Sequence, residues 1–296
     1  MTLRGIHGQP SALLRVTGED AFDYLQSQFS NDLRSPLDKA CTYGLWLDRK
    51  GRVQADSFVL QLDEETFLLV SYQCEAPVLV AHLEARIIAD DVEIEALSGE
   101  LLSVTGDIEA DFSKGWPGEF PPPKAFVEDV QLGYLFRGRG LPGLRLDCLK
   151  VDGAFIAPKE VNLVDPLEFE ALRIEAGIAA VPTDCGLEGD LPQEAALEKE
   201  AVAFDKGCYL GQEVMARLHA MGQVRRGLFR IGSSGPTLAT GQSLFREDRA
   251  VGEVRSVHPT PREGGVHALA LLKLAHVSPG TELALQAGGT PEIRVL

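Results

Sequence analysis

The sequence contains no long uninterrupted run of apolar residues, although 45% of its 296 residues are hydrophobic. A membrane-spanning helix needs ~20 consecutive apolar residues, so we expect no membrane partner. The first residues, MTLRGIHGQPSALLRVTG, contain neither the apolar core of a signal peptide nor a small-residue cleavage pattern. We therefore expect no secretory signal.

Cysteine is scarce, and no two of the five cysteines form a C-x-x-C pair. They are scattered along the chain as Cys41, Cys74, Cys148, Cys185 and Cys208. An odd, scattered set argues against a disulfide framework and against a structural zinc site. The simplest compartment for such a chain is a reducing cytoplasm.

Basic residues are also few: 28 Lys and Arg against 44 Asp and Glu give a formal net charge of −16. Such a chain repels nucleic acid over most of its surface, so we expect no direct nucleic-acid binding. Acidic residues are in turn absent from residues 214–246. The arginines in that stretch are Arg217, Arg225, Arg226, Arg230 and Arg246. The stretch is either a basic patch for an anionic ligand or an ordinary surface.

Hydrophobic periodicity predicts a chain of mixed α+β class. The alternation within residues 53–62 and 67–70 is typical of an antiparallel meander. DPLEFEALRIEAGI (165–178) predicts a helix, with Asp165 as its cap and Pro166 at its first position. From about residue 228, short β-like runs separated by Gly, Pro and Ser turns predict a small all-β barrel or sandwich.

The segment DKGCYLGQEV (205–214) places Cys208 between two glycines and two residues after Lys206. A helix N-terminus or a nearby cation stabilises a thiolate and makes a cysteine reactive. Residues with good helix propensity follow the segment, and Gly207 and Gly211 permit backbone turns that other residues resist. Cys208 is therefore either an exposed thiol activated by Lys206 or a small buried core residue.

The stretch KGCYLGQE resembles the signature segment of the YgfZ family, folate-binding proteins involved in iron–sulfur protein maintenance. Mitochondrial relatives of that family are iron–sulfur assembly factors. The stretches VTGEDAFDYLQSQFSND, LWLDRKGRV, LRIEAGI and VGEV resemble other parts of the same family. The family is itself similar to the glycine-cleavage T protein, a tetrahydrofolate-dependent aminomethyltransferase. The resemblance spans nearly the whole chain.

The resemblance implies an α+β fold built as a ring of three subdomains around a central folate pocket. We expect residues 1–48 and 145–225 to form a first α+β subdomain. Residues 49–144 would form a second α+β subdomain, and residues 226–296 a small C-terminal β-barrel.

The function that the resemblance implies is that of a tetrahydrofolate-binding accessory protein for iron–sulfur cluster assembly or repair. Its partners would be folate and iron–sulfur client proteins. Cys208 would act as a redox-sensitive thiol or as a transient sulfur or iron ligand. One thiolate cannot hold a cluster alone, so any cluster would be shared with a partner.

The resemblance also implies a set of cofactor-binding residues. Glu175 matches the position whose carboxylate hydrogen-bonds the pterin ring in the T protein, and Phe169 matches an aromatic position. In the signature segment the candidates are Tyr209, Gln212 and Glu213. The anionic folate tail would be bound by Arg217, Arg225 or Arg226.

An alternative function is that of a folate-dependent aminomethyltransferase or demethylase of the T-protein type. Asp56 would then assist catalysis, and Cys208 would be incidental. The T protein has an acidic pair just after its glycine turn, whereas this chain reads RVQADSF and retains only Asp56 beside Ala55. A third alternative is a folate-binding module that acts through partner contact without catalysis.

Overall fold

The computed structural model describes residues 3–108, 119–187, 189–235, 237–262 and 264–296. Within these residues the chain forms three β-sheets with short helices packed against them. No helix within these residues is both long enough and apolar enough to span a bilayer.

The strands are numbered along the chain: β1 Leu3–Gly8, β2 Ala12–Thr17, β3 Cys41–Leu47, β4 Val53–Gln61, β5 Thr66–Ser71, β6 Glu93–Ala96, β7 Gly99–Thr105, β8 Phe126–Asp129, β9 Gly133–Arg137, β10 Arg145–Val151, β11 Val161–Leu163, β12 Arg226–Ser233, β13 Ser243–Arg246, β14 Arg249–Val257, β15 Ala268–Lys273, β16 Glu282–Leu283 and β17 Ile293–Val295. The α-helices are α1 Ala21–Gln28, α2 Ala76–Glu84, α3 Pro166–Ala176, α4 Glu198–Ala201 and α5 Gln212–Met221. A 3₁₀ turn covers Pro192–Ala195.

The sheet with strand order β3-β4-β5-β2-β6, here the meander sheet, is covered on both faces. Val53, Ala55 and Val59 of β4 belong to the core cluster that includes helices α1 and α2. Phe58 and Leu60 of the same strand pack instead with residues of β9 and β10. Because strand side chains alternate between faces, the coverage of both faces explains why β4 is buried along almost its whole length.

The second sheet, here the composite sheet, has the order β11-β1-β7-β10-β9-β8 and draws strands from distant parts of the chain. Strand β1 lies between β7, its antiparallel partner, and β11, which runs parallel to it. The composite sheet packs on the outer face of the meander sheet through Phe126, Phe136 and Leu149.

The C-terminal sheet has the order β13-β14-β15-β12-β17-β16. An isolated bridge between Phe245 of β13 and Ala284, the residue after β16, joins the two edges of the sheet through two backbone hydrogen bonds of 2.8 Å. The sheet therefore closes on itself around a core of aliphatic side chains. Both the α+β class and the predicted C-terminal barrel are confirmed.

Helix α3 also follows its sequence signals. The Asp165 carboxylate accepts a hydrogen bond from the Leu167 N–H at 2.9 Å, and Pro166 occupies the first helical position. The helix ends at Gly177, whose φ of +71° suits glycine. A buried ion pair between Arg173 and Asp184, with N–O distance 2.5 Å, anchors the helix.

Two predicted subdomain boundaries fall inside sheets. Strands β3 and β4 pair across the boundary at 48/49. Strand β10 begins just after the boundary at 144/145 and pairs with β7 and β9, which precede it. Backbone hydrogen bonds therefore unite segments that the predicted boundaries separate, and the division into three subdomains stays a prediction.

Candidate functional site

Cys208 is the exposed cysteine of the chain, whereas the other four are buried. Burial raises the pKa of each of those four thiols, to about 12 for Cys74. A protonated, buried thiol is a poor nucleophile. The thiol that is accessible to a reagent or partner is therefore that of Cys208.

Cys208 lies at a surface cleft of about 560 Å³. The residues that line it are Ser27, Gln28, Arg49, Cys208, Tyr209, Leu210, Gly211, Gln212 and Glu213. One wall is the end of α1 and the other is the segment that leads into α5. A backbone hydrogen bond of 3.0 Å from the Leu210 N–H to the Ser27 carbonyl joins the two walls.

The cleft floor depends on a close contact between two glycines. Gly211 has φ +85°, and a Cβ there would lie 2.7 Å from the Asp48 carbonyl oxygen and 3.1 Å from Gly51 Cα. Gly51 has φ +72° and packs against Val214 and Met215. The stretches LWLDRKGRV and KGCYLGQE, both carriers of the family resemblance, thus pack on each other, which brings Arg49 to the cleft.

Lys206 does not take the place beside the thiolate that its spacing suggests. Its side chain is buried, and Nζ donates to the carbonyl oxygens of Gln26 at 2.8 Å, Phe29 at 2.8 Å and Asn31 at 2.7 Å. An ammonium group has three donors, so none remains for Cys208. The physical reason is that a buried ammonium needs an acceptor for each of its three N–H groups, and these three carbonyl oxygens supply them. Burial lowers the pKa of Lys206 to about 8.

Other predicted residues of the signature segment do line the cleft. Tyr209 is 7% exposed, and within the described residues its hydroxyl has no hydrogen-bond partner. Burial raises the pKa of Tyr209 to about 12. Gln212 donates to the Lys206 carbonyl at 3.4 Å, and Glu213 is exposed. Arg217 is exposed on α5, one turn beyond Glu213.

Glu175 lies elsewhere, at the end of α3 against the barrel. Its carboxylate is 48% exposed and contacts His258 Nε2 at 3.3 Å. Arg230 donates to the Glu175 carbonyl oxygen at 3.1 Å. Phe169, on the same helix, is only 5% exposed. Its ring is therefore a core side chain in this structure.

Arg226 is engaged by carboxylates and is a poor candidate for binding an anion. Its guanidinium donates two hydrogen bonds to Glu194, at 2.8 and 2.7 Å, and lies 3.0 Å from Asp190. Glu194 and Asp190 precede the acid-free stretch in sequence, so its composition gave no sign of them. Arg217 and Arg225 are exposed, and their binding of an anionic ligand stays a prediction.

Asp56 is buried in a polar cluster. Its carboxylate accepts hydrogen bonds from Tyr43 Oη at 2.8 Å, Ser71 Oγ at 3.0 Å and Cys74 Sγ at 3.4 Å. Burial raises the pKa of Asp56, and the Arg139 guanidinium opposes that rise. Because Asp56 is 4% exposed, its carboxylate faces side chains rather than solvent.

Arg139, which the sequence did not single out, connects several elements at this cluster. Its guanidinium lies 4.6 Å from the centre of the Tyr43 ring and 2.6 Å from a carboxylate oxygen of Glu200 on α4. It also donates to the Ala179 carbonyl at 3.0 Å. The only signal in the sequence was an arginine between two glycines in RGRG, which is equally typical of a turn.

Among the described residues, no group of three or more His, Cys, Asp or Glu side chains is arranged to hold a metal ion. The chemistry that the cleft offers is therefore that of one thiol flanked by neutral amides, a tyrosine and a pair of opposite charges, Arg49 and Glu213.

Two family models match the chain. The GCVT N-terminal domain matches residues 10–106, and the CAF17 C-terminal beta-barrel domain matches residues 225–295. Among solved structures, the glycine cleavage system aminomethyltransferase T from Bartonella henselae is similar, with a TM-score of 0.78. That match covers 99% of this chain and 85% of the other at 19% identity, which establishes likeness of fold alone.

Curated relatives are similar in sequence. The tRNA-modifying protein YgfZ of Edwardsiella ictaluri is 30% identical, over 76% of this chain and 70% of the relative. The mitochondrial iron-sulfur cluster assembly factor IBA57 of Mus musculus is 31% identical, over 78% of this chain and 67% of the relative. The IBA57 homolog of Mycosarcoma maydis is 27% identical, and the match spans about half of that relative, 53%. On this similarity, and on a fold and a cleft assembled from the motifs that carry it, the chain belongs to the YgfZ/IBA57 family.

Proposed function

We propose that the chain is a tetrahydrofolate-binding accessory protein of iron–sulfur cluster assembly or repair, with Cys208 as its working thiol. The observation that carries the proposal is the exposure of this one cysteine at a cleft built from two family motifs. The names of the mouse and fungal relatives support the assembly role.

The properties of Cys208 suit a thiol that reacts or binds transiently. It is accessible, and the four buried cysteines do not compete with it for reagents. A single thiolate supplies one of the four or so ligands that a cluster requires. Client proteins must therefore contribute the remaining ligands if Cys208 contacts a cluster. Free thiols throughout the chain suit a reducing cytoplasm.

The test is complementation of a strain that lacks the protein. We expect Cys208→Ala and Cys208→Ser to fold as the wild type does and to fail to restore iron–sulfur enzyme activity. Gly207→Ala is a matched control, since a Cβ at this neighbouring position meets nothing within 4 Å. Full restoration by Cys208→Ala would show that the thiol has no working role.

Folate binding is supported by the chemistry of Glu175. A carboxylate pairs with a ring N–H and an exocyclic amine of a pterin, and Glu175 is half exposed with one oxygen near His258. Calorimetry with tetrahydrofolate tests this role. Glu175→Gln should weaken binding by about 1.5–3 kcal/mol, the usual loss for a hydrogen bond to a charged group.

Glu168→Gln is the matched control for that measurement. Glu168 lies on the same helix and its side chain is 49% exposed, close to the 48% of Glu175. Its substitution should leave affinity unchanged. Equal losses in the two variants, or no loss in either, would remove Glu175 from the site.

A one-carbon transferase of the T-protein type is a second candidate, favoured by the environment of Asp56. Its raised pKa and its donors Tyr43 and Ser71 suit a carboxyl group that exchanges a proton. Turnover of a methylamine donor with tetrahydrofolate, abolished in Asp56→Asn, would support this candidate over the accessory role. Absence of turnover in the wild type would exclude it.

A further inference from the structure

Lys206 provides a cation at a helix end that has none of its own. Helix α1 has no basic residue in its last turn. The last carbonyl groups of a helix lack intrahelical partners and carry the negative end of the helix dipole. The carbonyl oxygens of Gln26, Phe29 and Asn31, at this end of α1, converge on Lys206 Nζ within 2.7–2.8 Å.

The same helix end is one wall of the Cys208 cleft. Ser27 and Gln28 line the cleft from α1. Lys206 lies two residues before Cys208, on the opposite wall. A second bond between the walls joins Leu210 N–H to the Ser27 carbonyl, and Gln212 donates back to the Lys206 carbonyl. The loop that carries the thiol is thus fastened on both sides of Cys208.

The charged form of Lys206 is stable in this buried position only while its ammonium group keeps these three hydrogen-bond acceptors. A buried charge without partners is strongly destabilising, and hydrogen bonds from a charged donor are about twice as strong as neutral ones. Burial lowers the pKa of Lys206 to about 8, Asp32 opposes that effect and Arg34 adds to it. The Tyr209 ring lies 5.2 Å from Nζ on the remaining side.

We propose that Lys206 is a positioning residue for Cys208, because its ammonium fixes the thiol-bearing loop to the carbonyl end of helix α1. The proposal rests on Cys208 being the working thiol. Lys206 does not act on the sulfur itself; it keeps the sulfur at one place on the cleft rim, where a partner finds it next to Gln28 and Arg49.

Two measurements on Lys206→Met test the proposal in the folded protein. The first is the rate at which iodoacetamide alkylates Cys208, and the second is hydrogen exchange at the Leu210 amide. Without the ammonium the loop opens, so we expect Leu210 protection to fall by about tenfold and the alkylation rate to approach that of a peptide of residues 203–213. Lys50→Met, at an exposed lysine, should change neither.

Chemical rescue separates positioning from a general loss of stability. In Lys206→Ala, propylammonium has the size and charge of the deleted group and should restore slow exchange at Leu210. Sodium chloride at the same concentration should not. If Lys206→Met lowers global stability but leaves both Leu210 exchange and Cys208 alkylation as in the wild type, Lys206 is a structural residue and the proposal is wrong.

A measurement on the wild type covers the case in which the variants do not fold. Acetylation of native protein should modify Lys50 readily and Lys206 at least about tenfold more slowly, because the amine is enclosed by carbonyl groups. Equal rates would overturn the proposal. These measurements are made on the loop and the thiol of the purified protein, whereas complementation tests the role of Cys208 in cells. The proposed role of Lys206 can therefore be wrong while that of Cys208 stands, and the reverse also holds.

Discussion

At the scale of single residues, the hydroxyl of Tyr209 offers a contrast with that of Tyr24. Both tyrosines are buried, but Tyr24 Oη donates to the Leu83 carbonyl at 2.6 Å, whereas Tyr209 Oη has no partner within the described residues. Tyr24→Phe should lower the free energy of unfolding by about 1 kcal/mol, and Tyr209→Phe should leave it unchanged or raise it slightly. Urea titration measures both.

The same two variants distinguish a structural role of the Tyr209 hydroxyl from a functional one. If Tyr209→Phe is as stable as the wild type but fails to complement, the hydroxyl has a role beyond folding. A loss of stability in Tyr209→Phe as large as that in Tyr24→Phe would contradict the prediction.

His82 gives the chain an acid-sensitive residue. Its Nε2 is buried and has no partner among the described residues, and burial lowers its pKa from 6.5 to about 4. Between these values the unfolded chain binds a proton that the folded chain does not. Stability is therefore lost as the pH falls from about 6.5 to about 4, by roughly 3.5 kcal/mol at most.

Urea unfolding of wild type and His82→Gln at about pH 7 and about pH 4.5 measures this contribution. We expect the difference between the two pH values to be smaller in the variant. An equal difference in the two proteins would place the acid sensitivity between these two pH values on groups other than His82.

The individual site residues show what sequence can and cannot predict. Exposure of Cys208 was one of two stated alternatives, because glycines and polar residues surround it. The direction of the Lys206 side chain could not be predicted, since its acceptors lie some 180 residues away in sequence. The carboxylate partners of Arg226 could not be predicted for the same reason: Glu194 belongs to a different element, and only folding brings it within 2.7 Å.

At the scale of secondary-structure elements, the start of α5 depends on Gly211. Alanine there would have to adopt φ +85° and place Cβ 2.7 Å from the Asp48 carbonyl oxygen. We expect Gly211→Ala to lower the free energy of unfolding by about 1–3 kcal/mol, and to change the alkylation rate of Cys208 as the turn and the helix separate. Gly207→Ala, with open space around it, should do neither. Equal stability in the two variants would contradict this account of the cleft floor.

Elements were predictable where their signals are local. Helix α3 is defined by Asp165, Pro166 and Gly177, all within or next to it, and its structure agrees. The predicted boundary at 48/49 illustrates the opposite case. The turn there looks like a place to divide the chain, but β3 and β4 on its two sides form a hairpin. Which strands pair depends on which of their faces are buried, and the burial of a face cannot be read from a single sequence.

At the scale of the whole molecule, the net charge of −16 opposes compaction. Salt shortens the range of that repulsion, since the Debye length falls from about 30 Å at 0.01 M to about 10 Å at 0.1 M. We expect the urea midpoint to rise between these two concentrations of sodium chloride. A fall would mean that specific ion pairs, such as Arg139 with Glu200, contribute more to stability than the overall repulsion removes.

The position of β1 has a consequence for biosynthesis. This strand receives its antiparallel neighbour when residue 105 has been made and its parallel neighbour only with residue 163. At ~5–20 residues per second, the interval between those two events is roughly 3–12 s. During translation the edge of β1 that later pairs with β11 therefore stays unpaired for this interval. A chaperone that binds unpaired strand edges can act on it during that time.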